Sequence, residues 1–307
     1  VQADQLQGCN NVNLVVSNSN DGGSGSLRDV IANTCAGSTL TFSNSTANGA
    51  VNFYDGAVHT INLTSGELLI NKSLTINGPG ANLLTVRRSA GNFRIFNIAA
   101  GNFNVTISGL MITNGSSNGG GGILSGLNVS GATLTVMGCA ISTNAASNGG
   151  GIFNSGSGAV AITNSTISGN STGGFGGGIY TNDGPVTISN STISGNSTSN
   201  NDGGGIFNNG GTVTVTNGTI SDNHSPNGSG GGIYNGGGTV TIKNTIIALN
   251  TASGGPDFFG ALTSQGFNLI GNSSGLPITS SQSSDQVGTA AGTAINPLVG
   301  PLANNGG

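Results

Sequence analysis

The stretch "GGGIYNGGGTVTIKNTIIALN", Gly230 to Asn250, is one copy of a phrase that the chain repeats with small edits. Aligned on the isoleucine that follows the glycines, the copies place Ile123, Ile152, Ile179, Ile206 and Ile233 at spacings of 29, 27, 27 and 27 residues. A fixed period of this length marks a solenoid or a related array, in which each unit buries its apolar face against its neighbours. Every unit carries a short alternating run, such as Val186-Thr-Ile188 or Val240-Thr-Ile242, and then a second run closing on Asn, as in Asn164 to Asn170. Gly, Asn and Ser turns separate the strand candidates, and no helical period lies between them. The prediction is an all-β chain: a single-stranded right-handed parallel β-helix with three short strands per coil of about 27 residues. Propeller blades would need longer units and antiparallel hairpins.

Period-2 alternation assigns the side chains. Leu134, Val160, Val186, Val213 and Val240 fall inside the middle strand, while Thr135, Ala161, Thr187, Thr214 and Thr241 face water. Ile141, Ile167, Ile193, Ile220 and Ile247 form a second inward column, with Cys139 as a small buried residue on the same face. Asn144, Asn170, Asn196, Asn223 and Asn250 recur at one corner. Asn tolerates left-handed backbone, and stacked amides bond along a column, so these residues form an expected structural ladder. Less regular rungs continue upstream through Thr60–Thr64, Leu68–Ile76, Leu83–Val86, Arg94–Ile98 and Val105–Ile112. At one strand spacing per coil the rod is about 50 Å long.

Composition narrows the function classes. Glycine supplies 58 of 307 residues, only 5% are charged, and the net charge is −4. Six scattered bases make no basic stripe for nucleic acid. No apolar run approaches the roughly 20 residues of a membrane span. The scarcity of Lys and Glu fits a mature secreted or cell-surface protein better than a cytosolic enzyme.

Three regions are expected: an N-terminal cap over 1–45, the parallel β-helix over 46–275, and a C-terminal tail or irregular last rung over 276–307. In the cap, Leu14-Val-Val16 is a strand candidate and "GSGSLRDVIANTC" a short amphipathic helix, with Ser26 as N-cap, Asp29 three residues on, and Leu27, Val30 and Ile31 on the apolar face. Cys9 and Cys35 bracket this unit as a candidate disulfide, which would imply an oxidising compartment.

The segments "GSLRDVIAN", "TINLTSGELLINKSLTINGPGANLLTV", "ISGLMITNG", the "GGGIYN…TVTISNSTISGN" units and "NTIIALNTASGGPDFFG…SQGFNLIG" resemble bacterial secreted right-handed β-helix proteins of the choice-of-anchor Q and CSLREA-type group. Their repeats are akin to those of polymorphic outer-membrane proteins. The resemblance covers nearly the whole chain and implies the fold and export; it implies little about activity. Where that group has Cys-Ser-Leu-Arg-Glu-Ala, this chain has Gly25-Ser26-Leu27-Arg28-Asp29-Val30. Relatives continue past Asn-Gly-Gly toward a surface anchor, so truncation or processing at Gly307 is an expectation from the resemblance.

Candidate chemistry is sparse. Polysaccharide hydrolysis needs two carboxylates within about 5–10 Å, and a lyase needs a base with charge neutralisation. Asp183, Asp202 and Asp222 occupy different positions of the repeat, and Asp222 with His224 lies at a corner. Arg87, Arg88 and Arg94 form the only basic cluster, with Glu67 about one rung away, and a solvated rung with local ion pairs is the expected reading. His59 and His224 lack ligand spacing, the calcium nonapeptide is absent, and neither metal nor cofactor is expected. Thr212-Val-Thr214 above Thr239-Val-Thr241 resembles an ice-binding grid, but Ala159, Ala161 and Pro185 interrupt it. Phe153, Tyr180, Phe207 and Tyr234 make an aromatic column expected on the outer face, as a partner or glycan contact or as packing under a long turn. Fourteen Asn-x-Ser/Thr sequons, Asn44, Asn62, Asn128, Asn164 and Asn272 among them, follow mostly from the repeat itself.

The leading expectation is a non-enzymatic extracellular structural protein, a surface adhesin or fibre subunit. Its expected partner is itself, as a homo-oligomer or a head-to-tail filament, with surface glycans second. A carbohydrate-binding module, or a polysaccharide lyase or hydrolase on the same fold, is the alternative.

Overall fold

A computed structural model describes residues 14–274, 278–289 and 294–298. It is a parallel β-solenoid of about nine turns. Strands pair in parallel with strands one coil away, and they build four parallel sheets of 8, 11, 10 and 6 strands. Along one coil the chain runs through Ile206–Asn208 on the first face, Thr212–Thr216 on the second, Thr219–Ser221 on the third and His224–Ser229 on the fourth. In the regular region the coil thus has four strand segments where the sequence suggested three. The extra face consists mostly of two-residue strands such as Ser171–Thr172 and Ser197–Thr198, too short to leave a periodic signal.

Each inward side chain meets its equivalent in the next coil. Val186 pairs in register with Val213, which pairs with Val240, and all three are at most 1% exposed. Ile141, Ile167, Ile193, Ile220 and Ile247 make an unbroken buried file on the third face. Burying such a side chain contributes about 1.5–3 kcal/mol, and the gain repeats with every rung. Cys139 sits in this interior, and burial pushes its thiol up to about 11, so it is an inert packing residue.

The glycine triplets close the corner between the fourth and first faces. Gly203 has φ +73°, a left-handed angle, and a Cβ on Gly204 would stand 2.5 Å from the carbonyl oxygen of Gly231 in the next coil. Neither position accepts a side chain without moving the backbone. At the next corner a polar residue does the work. Asn208 donates from Nδ2 to the Gly211 carbonyl and Asn235 to that of Gly238, while Thr181 donates to that of Gly184.

The helix Leu27–Asn33 has Ser26 as its N-cap, accepting from the Asp29 amide, and buries Leu27, Val30 and Ile31. Arg28 pairs with Asp21 at 2.6 Å and donates to the carbonyls of Gly66 and Glu67, which ties this segment to the first coils. Asp21 also accepts from the amides of Thr64 and Ser65. Although burial opposes it, these hydrogen bonds, that of Arg28 first, hold the Asp21 carboxyl well below the usual range. Ser38–Phe42, placed by sequence inside the cap, is already a strand of the 11-stranded sheet. Ile278–Thr279 and Gln286–Val287, placed in the tail, pair as further rungs. Cys35 is disulfide-bonded, and Cys9 lies outside the described residues.

Candidate functional site

The most ordered polar feature is the asparagine column. Asn170 donates from its backbone N and from Nδ2 to Asn196 Oδ1, at 3.0 and 2.9 Å, and its Nδ2 also reaches the Ile141 carbonyl. Asn144, Asn196 and Asn223 repeat the pattern, each taking the next coil's amide oxygen as acceptor. Asn144 Oδ1 accepts from the Gly115 amide, which starts the ladder. Asn250 ends it by donating from N and Nδ2 to Asp257 Oδ1. All five asparagines are at most 5% exposed.

The left-handed residue at this corner is the one before each ladder Asn: Thr143, Gly169, Gly195, Asp222 and Leu249. Left-handed asparagines do occur, as Asn164, Asn190, Asn217 and Asn244, at the corner between the second and third faces. There Asn217 donates to Asn190 Oδ1 at 3.0 Å and Asn244 to Asn217 Oδ1 at 2.8 Å, which makes a second, exposed ladder. The two consequences of asparagine joined in the sequence reading therefore belong to two different columns.

Asp257 is the buried ionisable group that sequence reasoning passed over. Its side chain is 1% exposed, takes both Asn250 donors on Oδ1, and accepts the Asn272 amide on Oδ2. Burial pushes its carboxyl up to about 6, against the pull of the hydrogen bonds from Asn250 and Asn272. Its location in "GGPDFFG", outside the repeat register, gave no sign that it completes the ladder.

Phe153, Tyr180, Phe207 and Tyr234 lie on the outer side of the first face, and Phe259 extends the file. Phe153–Tyr180 stack at 4.8 Å, Phe207–Tyr234 at 5.0 Å with planes 2° apart, and Tyr234–Phe259 at 5.2 Å. Phe175 wedges against Phe207 at 4.6 Å where the file tilts. Ring faces are occupied by neighbouring rings, so the column turns mainly edges outward, and Phe207 is only 6% exposed. Sugar stacking needs open faces, and this arrangement favours packing. Burial, with Asp183 near Tyr180 and Asp202 near Tyr234, raises both phenols.

The charged candidates disperse. Arg94 pairs with Glu67 at 3.1 Å, whereas Arg87 donates to Asn62 Oδ1 and Arg88 to the carbonyl of Asn114. Asp202 accepts from the Ser229 amide, and His224 Nδ1 is bonded to Thr251 Oγ1 rather than to Asp222. His59 pairs with Asp55 at 2.9 Å, near the N-terminal end. Among the described residues no group of three His, Cys, Asp or Glu is placed to hold a metal, and no helix is long and apolar enough to cross a membrane.

The outer side of the second face carries one long file: Thr39, Thr75, Thr106, Thr135, Ala161, Thr187, Thr214, Thr241, Thr263 and Thr279. Ala161 is its single break. The flanking file is mixed, through Asn104, Thr133, Ala159, Pro185 and Thr212, so a regular two-file grid does not form.

No known protein family, curated protein or solved structure matches this chain.

Proposed function

We propose that this protein is a stiff, non-enzymatic extracellular rod that acts as a structural spacer, as a surface adhesin stalk or fibre subunit. The observation that carries the proposal is the way polar groups are used. The amides of the buried ladder bond to the next coil along its length, and the carboxylates at the rod's ends brace it. Side chains committed to bracing neighbouring coils make a solenoid resist bending, because stability in such arrays is a sum of nearest-neighbour interfaces. The second face, filed with threonine, gives a hydrated surface of low charge.

Right-handed winding belongs to this proposal, since parallel crossover connections strongly favour that hand. So does the role of Leu27–Asn33 in closing the N-terminal end, where it packs beside the edge strands Val15–Val16 and Leu68–Ile70. Membership of the choice-of-anchor Q and CSLREA-type group, and secretion by a bacterium, rest on the sequence resemblance. Head-to-tail association is the sharper form, because heterologous contacts that do not close give filaments.

Two measurements on the full chain test the proposal. Sedimentation and negative-stain microscopy across a concentration series should show rigid rods, alone or joined end to end. A panel of acidic and neutral polysaccharides should be recovered uncleaved. Depolymerisation of any of them, or flexible particles without a rod axis, would overturn the assignment.

A further inference from the structure

The exposed ladder at the corner between the second and third faces stops at an anomaly. Asn190, Asn217 and Asn244 sit at equivalent left-handed positions, and each later side chain donates its Nδ2 to the Oδ1 before it. Ile246 pairs with Leu269 in the next coil, so the position that would continue the file is Phe267. It keeps the same backbone, with φ +60°, although a bulky side chain rarely adopts that region. Phe267 is 69% exposed. Backbone outliers of this kind concentrate at functional sites.

Two local features accompany the phenylalanine at this position. Asn244 Oδ1 loses the amide donor that an asparagine at 267 would supply, and among the described residues no other hydrogen bond reaches it. Beside it opens a shallow trough of about 480 Å³, lined by Asn217, Thr219, Asn244, Phe267, Ser284 and Gln286 among others. The lining is aromatic, amide, hydroxyl and, through Ile246 and Leu269, aliphatic, with no charged side chain. Unlike the rings of the stacked column, Phe267 has no ring partner among the described residues.

We propose that this trough binds a neutral sugar residue, a hexose or N-acetylhexosamine unit of a glycan. The C–H face of the sugar would lie on the Phe267 ring, a hydroxyl would donate to Asn244 Oδ1, and the amides and hydroxyls of Gln286 and Thr219 would meet the remaining polar edge. An open aromatic face beside planar amides supplies both the apolar and the hydrogen-bonding halves of a sugar's surface. The lack of charge in the lining directs the site to neutral rather than acidic glycans. The inference does not depend on the structural role proposed for the rod: a spacer with or without self-association can carry such a site.

The test is affinity electrophoresis and calorimetry on the full chain against neutral soluble glucans, galactans, mannans and N-acetylglucosamine oligomers. Phe267→Asn is the decisive variant, because it restores the column's preferred residue and keeps the fold. It should weaken binding by roughly tenfold or more, the scale of an aromatic contact. Asn244→Ala should weaken it too, and Tyr234→Ala, on the stacked column, should leave it unchanged. Absence of binding to every probe, or Phe267→Asn binding as tightly as the parent, would overturn the proposal. So would loss of a self-associated species in Phe267→Asn without any glycan binding, since the patch would then be an interface between copies.

Discussion

Replacing Asn196 with alanine isolates what the buried ladder contributes. The Asn196 side chain makes four hydrogen bonds: it accepts from Asn170 N and Nδ2, and it donates to the Ile167 carbonyl and to Asn223 Oδ1. Truncation leaves the buried Asn170 amide and the Ile167 carbonyl without those partners. Each unsatisfied buried group costs about 1–3 kcal/mol, so Asn196→Ala should lose about 2–6 kcal/mol before any cavity term. Asn190→Gly, on the exposed ladder, keeps the left-handed backbone and removes one solvated bond, so it should change stability by less than about 1 kcal/mol. Urea unfolding followed by circular dichroism measures both, and native-state hydrogen exchange should show the Asn170 amide exposed in Asn196→Ala. A loss below about 1 kcal/mol, or equal losses in the two variants, would refute the claim that the inner ladder braces the coils.

The remaining predictions concern the two ends of the rod. Asp257 has a folded pKa raised from 3.8 to about 6, so its contribution to stability is fully present below about pH 4 and is lost as pH rises through about 6. This amounts to about 3 kcal/mol across that window, and Asp257→Asn should flatten this part of the stability–pH curve; a profile identical to the parent would contradict the assignment. Asp21 works in the opposite sense: its lowered pKa gives stability present above about pH 4 and lost only in strong acid. Arg28→Ala removes its ion pair and three carbonyl contacts, and should cost about 2–3 kcal/mol while raising protease sensitivity before residue 70.

The repeat made the solenoid legible because the inward Val and Ile files obey a period of two inside a period of 27, and both periods are properties of a linear string. Ser26 and Asp29 were legible for a similar reason, since capping is local. Features created between coils were harder to read. Asn208 and Asn235 close glycine turns from inside the rod, a role that depends on carbonyl directions. The fourth face is built from pairs such as Ser197–Thr198, whose residues are common in loops. The aromatic file was placed on the correct side, but the sequence does not encode whether rings present faces or edges. Phe267 carries no periodic signal in the sequence, and only the strand register sets it on the asparagine file.

Paired spin labels on the threonine file test the stacking most directly. Cysteine substitutions at Thr135 and Thr241 lie four coils apart, and at Thr75 and Thr241 six coils apart. At about 4.8 Å per coil, the backbone separations should be about 19 and 29 Å, in the ratio of the coil counts. Distances by pulsed electron resonance in that ratio are the expected result. Separations that do not grow with coil number would contradict the stacked architecture and the rod built on it.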